Sequence, residues 1–231
     1  MILETLVAHG SDFIEWIEGS GFTGAPLRRI PPARLVIAFS KAPRDLHLEH
    51  KPAVTALWRK RPAELLTVVP GRAGEADLAP PKQAVYTLEG TLLDATGQCL
   101  PRRFKLDCGS ATGHRIALYR SPLGSRYGSA GGLFGRVGFD GGKPAPWSIV
   151  IAKVSPPLGA PLEFTAQADA HGEFILPLDR IPAIGVDAIA KTYPATLRIL
   201  ASPLATPDEA FDPDTHGGEV AVSGRVGAEV F

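Results

Sequence analysis

The glycine-rich run from residue 124 to 142, GSRYGSAGGLFGRVGFDGG, is the first place to look for chemistry, because glycine-rich loops can cradle phosphates. A Walker loop needs a lysine followed by a hydroxyl residue after its last glycine, and no such pair stands here. A dinucleotide fingerprint needs a helix after the glycines, and no helical pattern follows. Ser129 has Tyr127 two positions before it, where a lipase-type nucleophile needs glycine. The run therefore predicts neither a phosphate site nor a serine hydrolase.

Large apolar side chains alternate with these glycines, which is not typical of a linker. Flexible glycine linkers avoid such residues because their exposure to water is unfavourable. We expect the run to fold over the rest of the chain or to insert into a neighbouring subunit; plain flexibility is the alternative. The interface residues predicted on this basis are Tyr127, Leu133, Phe134, Phe139 and, just beyond the run, Trp147.

The motif HLEH at residues 47–50 offers two imidazoles and a carboxylate to a metal ion. In a strand, His47 and Glu49 share one face and His50 points to the other, so the three cannot chelate one ion. The simpler interpretation is an exposed strand with Leu46 and Leu48 facing inward. The acidic stretch DPDTHGGE at 212–219 lacks the third alternate acid and the closing Glu of a calcium loop. The sequence predicts no metal site.

Other residues with chemical potential also have structural explanations. His114, His171 and His216 are isolated, and the two aspartates Asp94 and Asp169 each have a local role in a turn. The tryptophans are interpreted as core or interface anchors rather than as a sugar platform. Two cysteines nine residues apart, Cys99 and Cys108, form neither a disulfide framework nor a zinc motif, which favours free thiols. We therefore predict no catalytic residues and no cofactor.

Composition limits the classes of partner. The 231 residues carry 24 Lys and Arg against 24 Asp and Glu, so there is no overall field to attract nucleic acid or an anionic membrane. The beginning of the chain lacks the basic region and apolar run of a signal peptide, and no apolar run is long enough to span a membrane. We expect a protein made in the cytoplasm without a cleaved signal, with no nucleic-acid partner and no membrane insertion.

The 25 glycines and 22 prolines favour many short strands over long helices. Before the strands, Asp12 and Glu15 have the spacing of a helix capping box, which predicts a short helix within an N-terminal arm, 1–29. The runs RLVIAFS, DLHLEH, AVTALWRK and AELLTVVP, bracketed by prolines, predict a small β layer over 30–70, with RLVIAFS as a buried strand. A turn-rich linker, 71–83, follows.

From residue 84 the pattern is strand, turn, strand. VYTLEGTLLD and RRFKLDC flank the turn ATGQ, and LEFTAQA and GEFILPL flank DAHG, where Gly172 supplies positive φ. The strand ATLRILAS comes later, and a C-terminal arm, 203–231, contains the short strand EVAVSG and ends apolar. Such an arm is either frayed or bound to something else, and its apolar ending favours the second.

Two groups of these turn residues resemble the carboxypeptidase regulatory-like domain family. They are Gly90-x-x-x-Asp94-x-x-Gly97-x-x-x-Pro101 and Ala168-Asp169-x-x-Gly172-x-Phe174-x-Leu176, followed by the strand from Leu197 to Leu200. The resemblance covers about 84–202 and implies a transthyretin-like β-sandwich. It places Gly90 on the first strand, Asp94 and Gly97 in its turn, and Phe174 in the core. The glycine-rich segment, 121–146, is then a long insertion.

The expected fold is thus an all-β, transthyretin- or immunoglobulin-like antiparallel sandwich with a smaller N-terminal layer, a short helix and terminal arms. Members of the family are usually appended modules, and the resemblance implies no catalytic residue. Without a signal peptide, such a sandwich fits a structural protein that assembles with itself and with other proteins of a particle: a virion, phage tail, baseplate, neck or contractile injection system. The alternatives are a module that binds a glycan or peptide, an accessory protein of a secretion system, and an enzyme.

Overall fold

The computed structural model describes residues 11–59, 85–129, 131–156, 159–182, 193–201 and the backbone of 219–226. These residues form an all-β protein with one short 3-10 helix, Pro32–Arg34, and no longer helix. The strands are β1 (Asp12–Glu18), β2 (Gly21–Phe22), β3 (Leu35–Lys41), β4 (Leu46–His50), β5 (Thr55–Arg59), β6 (Tyr86–Asp94), β7 (Arg102–Cys108), β8 (Gly113–Leu118), β9 (Gly132–Arg136), β10 (Ile149–Val154), β11 (Leu162–Gln167), β12 (Glu173–Pro177), β13 (Tyr193–Leu200) and β14 (Glu219–Val226).

The predicted N-terminal helix is wrong where the structure describes it, because residues 12–18 form strand β1. Ile14 and Trp16 are fully buried on one face, while Phe13 on the other face is 41% exposed. This is the period of two that a half-buried strand requires. Asp12, read as a helix cap, instead accepts hydrogen bonds at the turn between β7 and β8, from the amides of Gly109 (2.6 Å) and Thr112 (2.9 Å).

Seven strands enclose a first hydrophobic core, and we call this part the first unit. One sheet has the order β4-β5-β1-β8 and the other the order β3-β6-β7. The pair β1–β8 is parallel, whereas the other pairs of this unit are antiparallel. The prediction of a buried strand is wrong for β3. This strand lies at the edge of its sheet, and Val36 on one of its faces is 53% exposed. The largest buried side chains of this core are Trp16, Ile14, Leu57, Leu88, Leu92 and Leu118.

The remaining strands enclose a second core, and we call this part the second unit. Its larger sheet has the order β14-β13-β10-β11-β2, and β12 pairs with β9 in a two-stranded sheet. Phe164 and Leu176 are fully buried between the two sheets. The segments LEFTAQA and GEFILPL become β11 and β12, but they do not pair with each other: the DAHG turn carries the chain from one sheet to the other.

Each of the two cores takes strands from more than one of the predicted segments. Strands β6 to β8, expected within a sandwich over 84–202, share the first core with β1 and β3 to β5. The expected small layer over 30–70 is split between both sheets of the first unit. The run AELLTVVP, the predicted linker 71–83 and most of the predicted C-terminal arm lie outside the described residues. Within the described ranges, no helix is long and apolar enough to cross a membrane.

Candidate functional site

The glycine-rich segment crosses from the first unit to the second in close backbone contact with both. A Cβ atom at Gly124 would overlap the backbone of Gln98 in the first unit. A Cβ atom at Gly128 would overlap the carbonyl of Leu178 and the carboxylate of Asp179 in the second. Gly128 and Gly131 also exchange backbone hydrogen bonds of 2.7 and 3.0 Å. Glycine is therefore required here for close approach, and the segment is a fitted crossing rather than a flexible linker.

This crossing presents large apolar side chains to solvent. Leu123 is 95% exposed, Phe134 is 67% exposed and Tyr127 is 62% exposed. The other two predicted interface residues of the run behave differently, since Leu133 and Phe139 are partly buried against the second core. The structure thus divides the run into an exposed set and a set that anchors it.

Trp147, the fifth predicted interface residue, lies in the interior. It is 5% exposed and has a left-handed backbone with φ of 60°. Its amide donates to the carbonyl of Asp169 (3.2 Å), and its carbonyl accepts from the side chain of Gln167 (3.1 Å). Burial removes it from the surface on which a partner could contact this chain directly.

A second crossing, residues 19–29, leads from the first unit to the second and back, and it also holds the units together. After β1, the chain leaves the first unit, adds β2 to the second unit beside β11, and returns at Ile30. The Phe22 ring packs on that of Phe164 at 5.7 Å, and the Thr23 amide donates to the carbonyl of Glu163 at 2.9 Å. Two independent segments therefore hold the units together.

A cleft of about 1200 Å³ opens between the two crossings, and we call it the inter-unit cleft. Residues 18–28, 119–129 and 177–180 form most of its lining. Its rim includes the exposed apolar side chains of Leu27, Leu123 and Tyr127. A concave surface with exposed apolar residues at a junction of two units is a typical place for a ligand or partner segment.

The charges of the cleft are predominantly positive. Among the described residues of the lining there are four arginines and two acidic residues, Glu18 and Asp179. The carboxylate of Glu18 pairs with Arg120 at 2.7 Å, and this hydrogen bond raises the pKa of the guanidinium above its ordinary value. The carboxylate of Asp179 accepts from the amide of Ser129 at 2.7 Å. Both acids are thus engaged, while Arg28, Arg126 and Arg180 are exposed and form no ion pair within the described residues.

The turn after β6 is organised by Asp94, whose side chain is buried. Its two oxygens accept from the amides of Thr96 (2.9 Å) and Cys99 (3.0 Å), and Arg34 donates to it at 2.8 Å. Burial disfavours the charged carboxylate, but the hydrogen bonds from Thr96 and Arg34 outweigh it and lower the pKa from 3.8 to about 2. Gly97 follows with φ of 67°, in the left-handed region. These contacts are structural and leave no oxygen positioned for acid–base chemistry.

The second predicted turn has the same design. Asp169 accepts from the amides of His171 (2.8 Å) and Glu173 (2.9 Å), and Gly172 has φ of 79°. Phe174, the residue after Glu173, is buried in the second core. Gly90 lies within β6, where a Cβ would crowd the ring of Phe104. Asp94 belongs to the first unit and Asp169 to the second, so the structure does not bring the two carboxylates together.

The remaining polar candidates are also accounted for. His47 stacks on Trp58, and His50 shares a hydrogen bond of 3.0 Å with Thr55. No group of three His, Cys, Asp or Glu that could hold a metal ion occurs among the described residues. Cys99 and Cys108 are free and buried, and burial raises their thiol pKa values to about 11 and about 12. Such thiols are poor nucleophiles at neutral pH.

Comparison with protein-family models, with curated proteins and with solved structures gave no match for this chain. The resemblance to the carboxypeptidase regulatory-like family therefore stays a prediction.

The arginines of the inter-unit cleft were not predicted as site residues. Arg28 was visible in the sequence as half of a short basic pair, but Arg126 and Arg180 stand alone. Arg28 lies about 100 residues before Arg126, and Arg126 lies about 50 residues before Arg180, so no local sequence pattern links the three. The two crossings bring them to one cleft.

Proposed function

We propose that this protein is a non-enzymatic structural component that assembles with copies of itself and with other proteins. The observation that carries the proposal is the glycine-rich crossing, which holds Leu123, Tyr127 and Phe134 exposed on a backbone fitted to both units. Exposed large apolar residues on an ordered segment favour a protein–protein contact, since their burial is favourable and little conformational entropy is lost.

The two-unit architecture supports the same proposal. Each unit has its own core, and two crossings link them, so the exposed surface is carried on a body with fixed geometry. Subunits of an assembly need such fixed geometry because errors in angle accumulate from one contact to the next. We place the protein in a virion or a phage-like contractile particle, with an accessory role in a secretion system as the alternative; gene neighbours encoding sheath or tube proteins would support this setting.

The alternative of a glycan-binding module finds less support. A sugar platform needs aromatic side chains on one exposed face, whereas Trp16 and Trp147 are buried. Trp58 is half-buried and already stacks on His47. The inter-unit cleft supports recognition of a peptide segment instead, which is compatible with assembly.

Sedimentation velocity of the full chain tests the proposal. We expect the wild type to form oligomers at micromolar concentration and a variant with Leu123→Ser, Tyr127→Ser and Phe134→Ser to sediment as a monomer with unchanged circular dichroism. The matched control is Val36→Ser, which removes an exposed apolar side chain from β3, far from the crossing in sequence. A wild type that stays monomeric and captures no partner from its own particle, or a triple variant that assembles like the wild type, would contradict the proposal.

A further inference from the structure

We infer that the inter-unit cleft receives the acidic segment 207–214 of a second copy of this chain. The inference rests on the proposed self-assembly and names the contact that produces it. Every cleft residue on which the inference depends lies in the described part of the chain, and the segment, PDEAFDPD, is known from the sequence.

The first argument is the charge of the cleft. Arg28, Arg126 and Arg180 are exposed there, and the two acids of the described lining are already bound, Glu18 by Arg120 and Asp179 by Ser129. The Arg180 guanidinium lies 5.8 Å from the centre of the Phe22 ring. This contact with an uncharged ring leaves the positive charge of Arg180 without a counter-charge in the described part of the cleft. Three guanidiniums around one concave surface favour an occupant with several carboxylates.

The second argument is the apolar rim. Leu27, Leu123 and Tyr127 are at least 60% exposed and lie beside the arginines. A purely acidic ion would leave this surface in water, whereas a segment that also carries a large apolar side chain would cover it. The best occupant therefore combines several acids with an aromatic or aliphatic residue.

The third argument is that the chain itself contains such a segment. Residues 207–214 hold four acids and no base, the densest acidic run of a chain whose total charge is zero. Phe211 lies at the middle, and Pro207 and Pro213 restrict the backbone, which reduces the entropy that a bound segment must lose. The acids are Asp208, Glu209, Asp212 and Asp214.

The geometry of the contact sets the kind of assembly. A cleft on one copy that binds a segment of the next is a heterologous contact, which closes into a ring or continues as a filament. Each copy then contributes one acidic segment and one cleft to the assembly. Substitutions can disable the segment and the cleft separately.

The test uses two full-length variants. The cleft variant carries Arg126→Gln and Arg180→Gln, and the segment variant carries Asp208→Asn, Glu209→Gln, Asp212→Asn and Asp214→Asn. Arg44→Gln is the matched control, since Arg44 is an exposed arginine on the turn between β3 and β4 and is absent from the cleft. Molecular mass is measured by light scattering during size-exclusion chromatography, first for each protein alone and then for a mixture of the two variants.

We expect the wild type and the control to be oligomeric, each variant alone to be monomeric, and their equimolar mixture to form a dimer and nothing larger. The mixture has one intact cleft and one intact segment, so it permits one contact and no propagation. A fluorescein-labelled peptide with the sequence of residues 205–216 should bind the segment variant, whose cleft is intact, at least about tenfold more tightly than the cleft variant. Its binding should weaken as salt rises from about 0.05 to about 0.5 M.

The failures are distinguishable. If the wild type assembles and both variants assemble like it, the inference is overturned while the proposed function stands. If both variants are monomeric but their mixture forms no dimer, the segment acts within its own chain and the inference is overturned. If the wild type is itself monomeric at every concentration and does not bind the peptide, both this inference and the self-assembly on which it rests are overturned.

Discussion

The side chain of Asp94 connects two distant parts of the first unit. Its buried carboxylate joins the turn after β6 to Arg34, which is 60 residues earlier in the chain. Removing one partner from a buried charged hydrogen bond leaves the other without compensation, which costs more than the bond contributes when intact. The residue is therefore a structural acid, and its low pKa reports how strongly the fold favours the ionised form.

Asp94→Asn is expected to lower the free energy of unfolding by about 2 kcal/mol at neutral pH. The folded-state pKa of about 2 lies below the ordinary 3.8, so the ionised carboxylate stabilises the fold fully above about pH 4 and loses this effect as the pH falls through about 2. Urea unfolding from pH 7 to pH 2 should show the difference between wild type and variant shrinking toward the acid end. Asp140→Asn, at an exposed carboxylate, is the control. A difference independent of pH would contradict the assignment.

At the scale of elements, the glycine-rich crossing determines how the two units meet. Its glycines have two different roles. Gly124 and Gly128 allow close approach to the backbone of other loops, while Gly131 and Gly141 adopt positive φ. Sequence composition showed that the segment was unusual and that its aromatics disfavoured a plain linker. Composition could not show which carbonyl each glycine approaches, because those carbonyls belong to loops far away in the chain.

Gly128→Ala should lower the free energy of unfolding by about 2–4 kcal/mol, because the added methyl group overlaps the Leu178 carbonyl on a backbone held at both ends. The matched control is Gly138→Ala in the same segment, where a Cβ would lie 3.1 Å from the carbonyl oxygen of Lys143 and a small shift accommodates it. Thermal unfolding of the two variants, compared with wild type, gives the answer. Equal losses at both positions would mean that close approach is not the cause.

Strand β1 shows where sequence reasoning about elements failed. The stretch DFIEWIE fits both a period of two and a capped helix, and the Asp12–Glu15 spacing favoured the helix. The competing information was nonlocal: Asp12 binds amides 97 and 100 residues away, and Trp16 donates to Thr55 within the core at 2.8 Å. By contrast, the β6–β7 hairpin was predictable because the Asp94 contacts to the amides of Thr96 and Cys99 and the positive φ of Gly97 are local features of the sequence.

At the scale of the whole molecule, the fold is two β-sandwiches tied by two crossings. The structure confirms the all-β class that the sequence predicted. This class was predictable because glycines and prolines separate short apolar runs along the sequence. The sequence could not predict the distribution of strands between two cores, since β1 ends at Glu18 and β2 begins at Gly21, only two residues lie between them, and yet they belong to different units.

Phe22→Ala should uncouple the units. The ring is the main apolar contact of the β2 crossing with the second core, through Phe164, and its loss removes burial worth about 2 kcal/mol. Calorimetry is expected to show one cooperative transition for wild type and two for the variant. Phe13→Ala, on the outer face of β1, serves as control and should leave a single transition. A variant that still unfolds in one step would mean that the glycine-rich crossing alone suffices.

The parallel pair β1–β8 also determines the order in which the chain can fold during synthesis. Strand β1 is complete at residue 18 and its antiparallel neighbour β5 at residue 59, but its parallel neighbour β8 begins only at Gly113. The amides that bind Asp12 are likewise made about 100 residues later. Loop closure over such a distance is slow, and no local contact substitutes for it. A nascent chain that stops before residue 113 is expected to leave Trp16 accessible to a fluorescence quencher, because β1 is then without β8, the strand that completes its side of the sheet.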